Sequence, residues 1–138
     1  MIGKAGALFL ALFILVFLVF AVTGEEELET DINWEEALEL IEKKSEDDQL
    51  VLLDVRTPEE YQAGYIEGAL NLDYYSPDFQ ESLKELDPEK TFIVYCRSGN
   101  RSATAVAQMK ELGVNQSYNL LGGIIAWQEA GLSLITPE

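Results

Sequence analysis

The sequence predicts an α/β domain built on a small, mostly parallel sheet flanked by helices. Residues 50–55 (Leu-Val-Leu-Leu-Asp-Val) and 91–95 (Thr-Phe-Ile-Val-Tyr) are near-continuous apolar runs, the pattern of strands covered on both faces. Segments of helical spacing alternate with such runs along the chain, which argues for parallel strand connections. Ligands in sheets of this kind sit beyond the carboxyl ends of the strands, and the lone cysteine, Cys96, directly follows the second run.

The N-terminus is a separate object. Ala5 to Val22 carries no charge and shows no polar face at helical period. At about 1.5 Å per residue, one apolar helix of this length just crosses a bilayer core, which needs about 20 residues. Lys4 precedes it and Glu25-Glu26-Glu27 follows, so the positive-inside tendency places the domain outside the cytoplasm. Two readings stand for residues 1–24. One is a signal peptide, with small residues for cleavage in Ala21-Val22-Thr23-Gly24; the other is an uncleaved transmembrane anchor. Residues 25–31 read as an acidic linker and 32–138 as the domain.

Within the domain, Asn33-Trp34-Glu35-Glu36 has capping-box spacing, and Trp34, Leu38 and Ile41 share a face, predicting a helix over 33–45. Glu46-Asp47-Asp48 reads as a charged loop before the strand at 50–55. Thr57-Pro58-Glu59-Glu60 opens a short helix with proline in its first turn. Gly64 and Gly68 bracket a turn ahead of a short strand at 69–72. A helix at 78–86, the strand at 91–95, a helix at 102–112 stopped by Gly113 and a strand at 117–120 follow. Gly122-Gly123 leads into a last helix that ends near Gly131. Trp34 and Trp127 read as core residues.

Composition narrows the chemistry. The net charge is −16, from nine basic and 25 acidic residues, so a nucleic-acid partner, which needs clustered Lys and Arg, is not expected. The chain has no histidine, which removes imidazole metal ligands, a Cys–His pair and a histidine base. A single cysteine excludes an internal disulfide and a cysteine zinc cage. No metal and no cofactor are expected. Against the acidic background Arg97 and Arg101 stand in one turn, where they offset a field that repels anions.

That turn is Cys96-Arg97-Ser98-Gly99-Asn100-Arg101-Ser102. A free thiol titrates near about 8.5, and only the thiolate is a good nucleophile. Nearby cations and a helix N-terminus both lower that value. Backbone N–H groups from Arg97 to Ser102 can converge on the sulfur as an anion-holding nest, with Gly99 supplying a positive φ. The same nest would hold a persulfide. Cys96 is therefore the candidate nucleophile, and Arg97, Ser98, Gly99, Asn100, Arg101 and Ser102 are the candidate substrate-binding residues.

This loop resembles the active-site loop of single-domain rhodaneses, the thiosulfate-type sulfurtransferases. Asp54-Val55-Arg56-Thr57-Pro58-Glu59-Glu60-Tyr61 is similar to the family's Asp-Val-Arg segment. Gly64-Tyr65-Ile66-Glu67-Gly68-Ala69 resembles its Gly-His-Ile-Pro-Gly-Ala segment, with Tyr65 and Glu67 as the departures. Gly122-Gly123-Ile124-Ile125-Ala126-Trp127 resembles its closing element. The resemblance spans about residues 30–135 and implies a rhodanese-like sheet of about five parallel strands. It also implies that Cys96 takes up sulfane sulfur. The sulfurtransferases resemble a Cys-x4-Arg pattern, met by Cys96 and Arg101, whereas related phosphatases and arsenate reductases have a loop one residue longer. Ser102 stands where those enzymes would need arginine.

Asp54 and Arg56 read as supports of the loop. Arg56 and Glu60, four apart, read as an ion pair tying the strand end to the next helix, and Asp54 as a partner for loop N–H groups or Arg101. The expected function is transfer of sulfane sulfur from thiosulfate or a persulfide, through a Cys96 persulfide, to a thiol or cyanide. The alternatives are a non-catalytic binding or sulfur-sensing module and, disfavoured by loop length, a phosphatase or arsenate reductase. The expected partners are a small anionic sulfur donor, a thiol or cyanide acceptor, and a membrane if the N-terminal segment is retained.

Overall fold

The computed structural model describes residues 30–44 and 48–138. The expected signal peptide or anchor at 1–24, residues 25–29 of the expected linker, and residues 45–47 lie outside the described residues. Among the described residues no helix is long and apolar enough to cross a membrane.

Among the described residues five strands form one sheet: β1 (Asp31–Ile32), β2 (Leu50–Asp54), β3 (Leu70–Asn71), β4 (Thr91–Tyr95) and β5 (Ser117–Leu120), in the order β1-β5-β4-β2-β3. Every neighbouring pair is parallel. The helices among the described residues are α1 (Trp34–Lys44), α2 (Pro58–Gln62), α3 (Phe79–Lys84), α4 (Asn100–Glu111) and α5 (Gly123–Glu129). The expected α/β class and parallel sheet are therefore present. β1 was not expected as a strand. It has two residues, too few to show a pattern, and begins at Asp31, pairing Asp31 with Asn119 and Ile32 with Leu120.

Local signals act where they were read. Asn33 and Glu36 cap α1 reciprocally: the Glu36 N–H donates to Asn33 Oδ1 at 2.9 Å, and the Asn33 N–H to Glu36 Oε2 at 2.8 Å. α4 starts at Asn100, two residues before the expected start at 102, because Gly99 at φ +102° turns the chain directly into the helix.

Alternation along β2 and β4 sends side chains to two faces. Leu53, Phe92, Val94 and Cys96 join Phe79 and Leu83 of α3 and Ala105, Val106 and Met109 of α4. Leu52, Ile93 and Tyr95 join Ala37 of α1 and Ile124 and Trp127 of α5. Each large side chain taken from water this way stabilises the fold by about 1.5–3 kcal/mol. The chain steps from β2 outward to β3, then returns to β4 on the other side of β2. The carboxyl ends of β2 and β4 flank this reversal, where an open parallel sheet leaves a crevice. Asp54 ends β2 in register with Tyr95, and Cys96 comes next.

Candidate active site

Cys96 leaves β4 with 1% of its surface exposed. Its Sγ accepts from the Gly99 N–H at 3.1 Å and lies 3.3 Å from Ser102 Oγ. Burial pushes the thiol up. Hydrogen bonds from the Ser102 hydroxyl and from the backbone N–H groups of Ser102, Gly99 and Ser98 outweigh burial and hold it below its ordinary value. Of the nest expected from Arg97 to Ser102, the N–H groups of Ser98, Gly99 and Ser102 act on the sulfur, and these donors of the loop, with the Ser102 hydroxyl, carry the activation. Gly99 is buried behind the sulfur, while Arg97, Ser98 and Asn100 are exposed at the loop's rim.

Arg101 is not free to face the sulfur. Its guanidinium grips Glu60 with Nη1 on Oε1 and Nη2 on Oε2, both at 2.9 Å, and lies 5.6 Å from the centre of the Tyr75 ring. The Arg101 hydrogen bond holds the Glu60 carboxyl below its ordinary value, and Glu60 in turn raises Arg101. The pair ties the first turn of α4 to α2.

The expected Arg56–Glu60 pair is absent; Arg56 binds Asp54 instead. Arg56 Nε lies 3.0 Å from Asp54 Oδ1 and 3.1 Å from Oδ2, Nη2 lies 2.7 Å from Oδ2, and the Arg56 N–H donates to Oδ1 at 2.9 Å. Nη2 also donates to Gly64 O at 2.7 Å. The four-residue spacing failed because α2 begins only at Pro58, so Arg56 stands on no helix and folds back over the strand end. Asp54 accordingly bonds neither Arg101 nor the loop as expected. The two buried side chains brace Tyr95, whose ring centre is 5.8 Å from the Arg56 guanidinium and whose hydroxyl accepts from the Ile66 N–H at 3.1 Å. Burial, then the Asp54 charge, pushes the Tyr95 phenol far above its ordinary value. It stays neutral and structural. Tyr65, the departure from the resembled segment, stacks on Tyr61 with ring centres 4.2 Å apart. Its backbone bridges Ile135 in both directions. Glu67, the other departure, is exposed.

The loop is also held from behind. The Ile124 N–H donates to Cys96 O at 2.9 Å and the Ile125 N–H to Arg97 O at 3.2 Å. This close approach explains Gly123: a Cβ there would lie 2.5 Å from Cys96 O and 2.6 Å from Arg97 O, at φ +57°. Four site residues lay outside the sequence reading: Glu60 as the partner of Arg101, Tyr75, and the buried Asn119 with its neighbour Asp31. Asn119 did offer a signal. Ser117 and Asn119 are polar at alternate positions of a strand, hence on one face, and a buried polar face calls for partners.

The arrangement is one sulfur in a ring of hydrogen-bond donors, closed by an arginine locked to a glutamate. A model of the rhodanese-like domain matches residues 34–130. The chain is 35% identical over 107 residues to a protein named sulfurtransferase from Allochromatium vinosum, covering 78% of this chain and 98% of that one. It is 36% identical over 90 residues to the chloroplastic thiosulfate sulfurtransferase 16 of Arabidopsis thaliana, covering 58% of this chain and 75% of that one. The solved structure of a rhodanese-related protein from Thermoplasma volcanium superposes with a TM-score of 0.67 at 32% identity, covering 78% of this chain and 98% of that chain. This chain belongs to the rhodanese-like domain family.

Proposed function

We propose that the chain transfers sulfane sulfur through Cys96, with a thiosulfate-type anion as donor and a thiol or cyanide as acceptor. The observation that supports this most is the set of donors around Sγ, which stabilises an anion on sulfur. In the first half-reaction the Cys96 thiolate attacks the outer sulfur of thiosulfate. The Cys96 S–S bond forms as the donor's S–S bond breaks, and the electron pair leaves with sulfite. The product is Cys96 persulfide, an anion displaced one sulfur outward in the same nest. In the second, cyanide or a thiolate attacks the outer sulfur, and the electron pair of the persulfide S–S bond returns to Cys96. Arg97, exposed at the rim, attracts the anionic donor. Arg101, committed to Glu60, fixes the loop's shape and contributes positive charge. Asp54 and Arg56 hold the end of β2 and brace Tyr95, the last residue of the neighbouring strand from which Cys96 projects.

Thiocyanate formation from thiosulfate and cyanide tests this reading. Turnover that Cys96→Ser abolishes supports it. Absence of sulfur transfer from thiosulfate, persulfides and polysulfide to either acceptor would overturn it. The uncharged stretch at 5–22 supports a site of action outside the cytoplasm, secreted or held at the membrane. Fractionation of cells, with the mass of the recovered chain, tests that: recovery in the cytoplasm at full mass contradicts it.

A further inference from the structure

The Ser102 hydroxyl stands between two acceptors. It is 3.3 Å from Cys96 Sγ and 2.6 Å from Asn119 Oδ1, and it has one hydrogen to give. Asp31 decides which way the Asn119 amide points. Asn119 Nδ2 donates to Asp31 Oδ1 at 2.9 Å, and because a carboxylate only accepts, the carbonyl end must face Ser102. Ser102 is 0% exposed and Asn119 3%, so water offers no ready substitute partner.

A proton count separates the two states of the sulfur. With Cys96 as thiol, every group is satisfied: S–H donates to Ser102 Oγ, Ser102 O–H to Asn119 Oδ1, and Asn119 N–H to Asp31. With Cys96 as thiolate, the Ser102 hydrogen must turn to the sulfur, which strands the Asn119 carbonyl, or stay and leave two acceptors facing each other. We infer that Asp31 and Asn119 are positioning residues that compete with Cys96 for the Ser102 hydrogen and so set how readily the thiol ionises. The Gly99 N–H serves the sulfur in both states. Charged and titratable groups reach the loop from each side: Arg97 in it, Arg101 on α4 with Glu60 of α2 and Tyr75, Asp54 and Arg56 at the end of β2, Tyr95 on β4, and Asp31 on β1. Asp31 is joined to the sulfur through Asn119 and Ser102 by the contacts above.

The inference concerns ionisation of Cys96, so it stands or falls separately from sulfur transfer. The test is the pH midpoint of thiolate ultraviolet absorbance in the full chain, referenced to Cys96→Ser. Asn119→Ala frees the Ser102 hydrogen and should lower the midpoint by about one unit. Asp31→Ala, on an exposed edge residue and therefore safe for folding, lets the amide turn and should lower it in the same direction. Both shifts should vanish in a Ser102→Ala background, because the hydrogen being contested is gone. An unchanged or raised midpoint in the foldable variants would overturn the inference. So would a drop that survives in Ser102→Ala, since that drop would not pass through the contested hydrogen and, for Asp31→Ala, would be through-space charge.

Discussion

Replacing Arg56 with alanine isolates the support beneath the loop. Asp54 is fully buried, and Arg56 supplies three of its short contacts, at 2.7, 3.0 and 3.1 Å, with the backbone N–H at 2.9 Å as a fourth. The alanine variant leaves that carboxylate with the backbone donor and removes the Nη2 bond to Gly64 O. A buried charge stripped of its partner costs about 3–5 kcal/mol. At about 4–8 °C per kcal/mol for a domain of this size, the melting temperature should fall by at least about 12 °C. Thermal unfolding followed by circular dichroism reads this directly. Asp54→Asn combined with Arg56→Met leaves no charge behind and should lose less than Arg56→Ala alone. A fall under about 4 °C for Arg56→Ala would refute the assignment of this pair as a buried, mutually dependent support.

Gly123→Ala should keep the domain folded but push the loop outward, since its Cβ meets two backbone carbonyls; kcat/KM for sulfur transfer should drop on the order of 100-fold, measured by thiocyanate formation. Arg97→Ala should raise the KM for thiosulfate with little change in kcat and should weaken the dependence on salt, as expected for a rim charge that attracts the donor; a salt titration of kcat/KM checks it. Burial opposes but does not cancel the loop hydrogen bonds that hold the Cys96 thiol below its ordinary value. An acidic group with a depressed folded value stabilises fully above the unfolded value, here about 8.5, and loses that contribution as pH falls through the folded value. The stability of the native chain minus that of Cys96→Ser should therefore rise with pH across this window. Urea midpoints at several pH values measure it, and a flat difference contradicts it.

The α/β class, both long strands and the loop were legible because each rests on a local pattern. Apolar runs marked β2 and β4, the capping box marked α1, and Gly99 marked the left-handed turn that wraps the sulfur. The charge pairings were not legible. Arg101 and Glu60 are 41 residues apart, and only the packing of α2 beside α4 brings them together. Arg56 had a plausible partner at helical spacing, yet it precedes the helix and folds onto Asp54. Gly123 was read as a helix start; its closeness to the Cys96 carbonyl depends on how α5 docks against the loop. β1 became a strand by pairing with β5, a tertiary effect no two-residue pattern announces.

Sulfur transfer at Cys96 is tested most directly by intact-mass measurement of the reduced chain after incubation with thiosulfate. The expected result is a gain of about 32 Da, the mass of one sulfur atom held covalently, that maps to Cys96 and disappears when cyanide is added. A chain whose mass stays unchanged with every sulfane donor between about pH 6 and 9, where the thiolate is accessible, would contradict it.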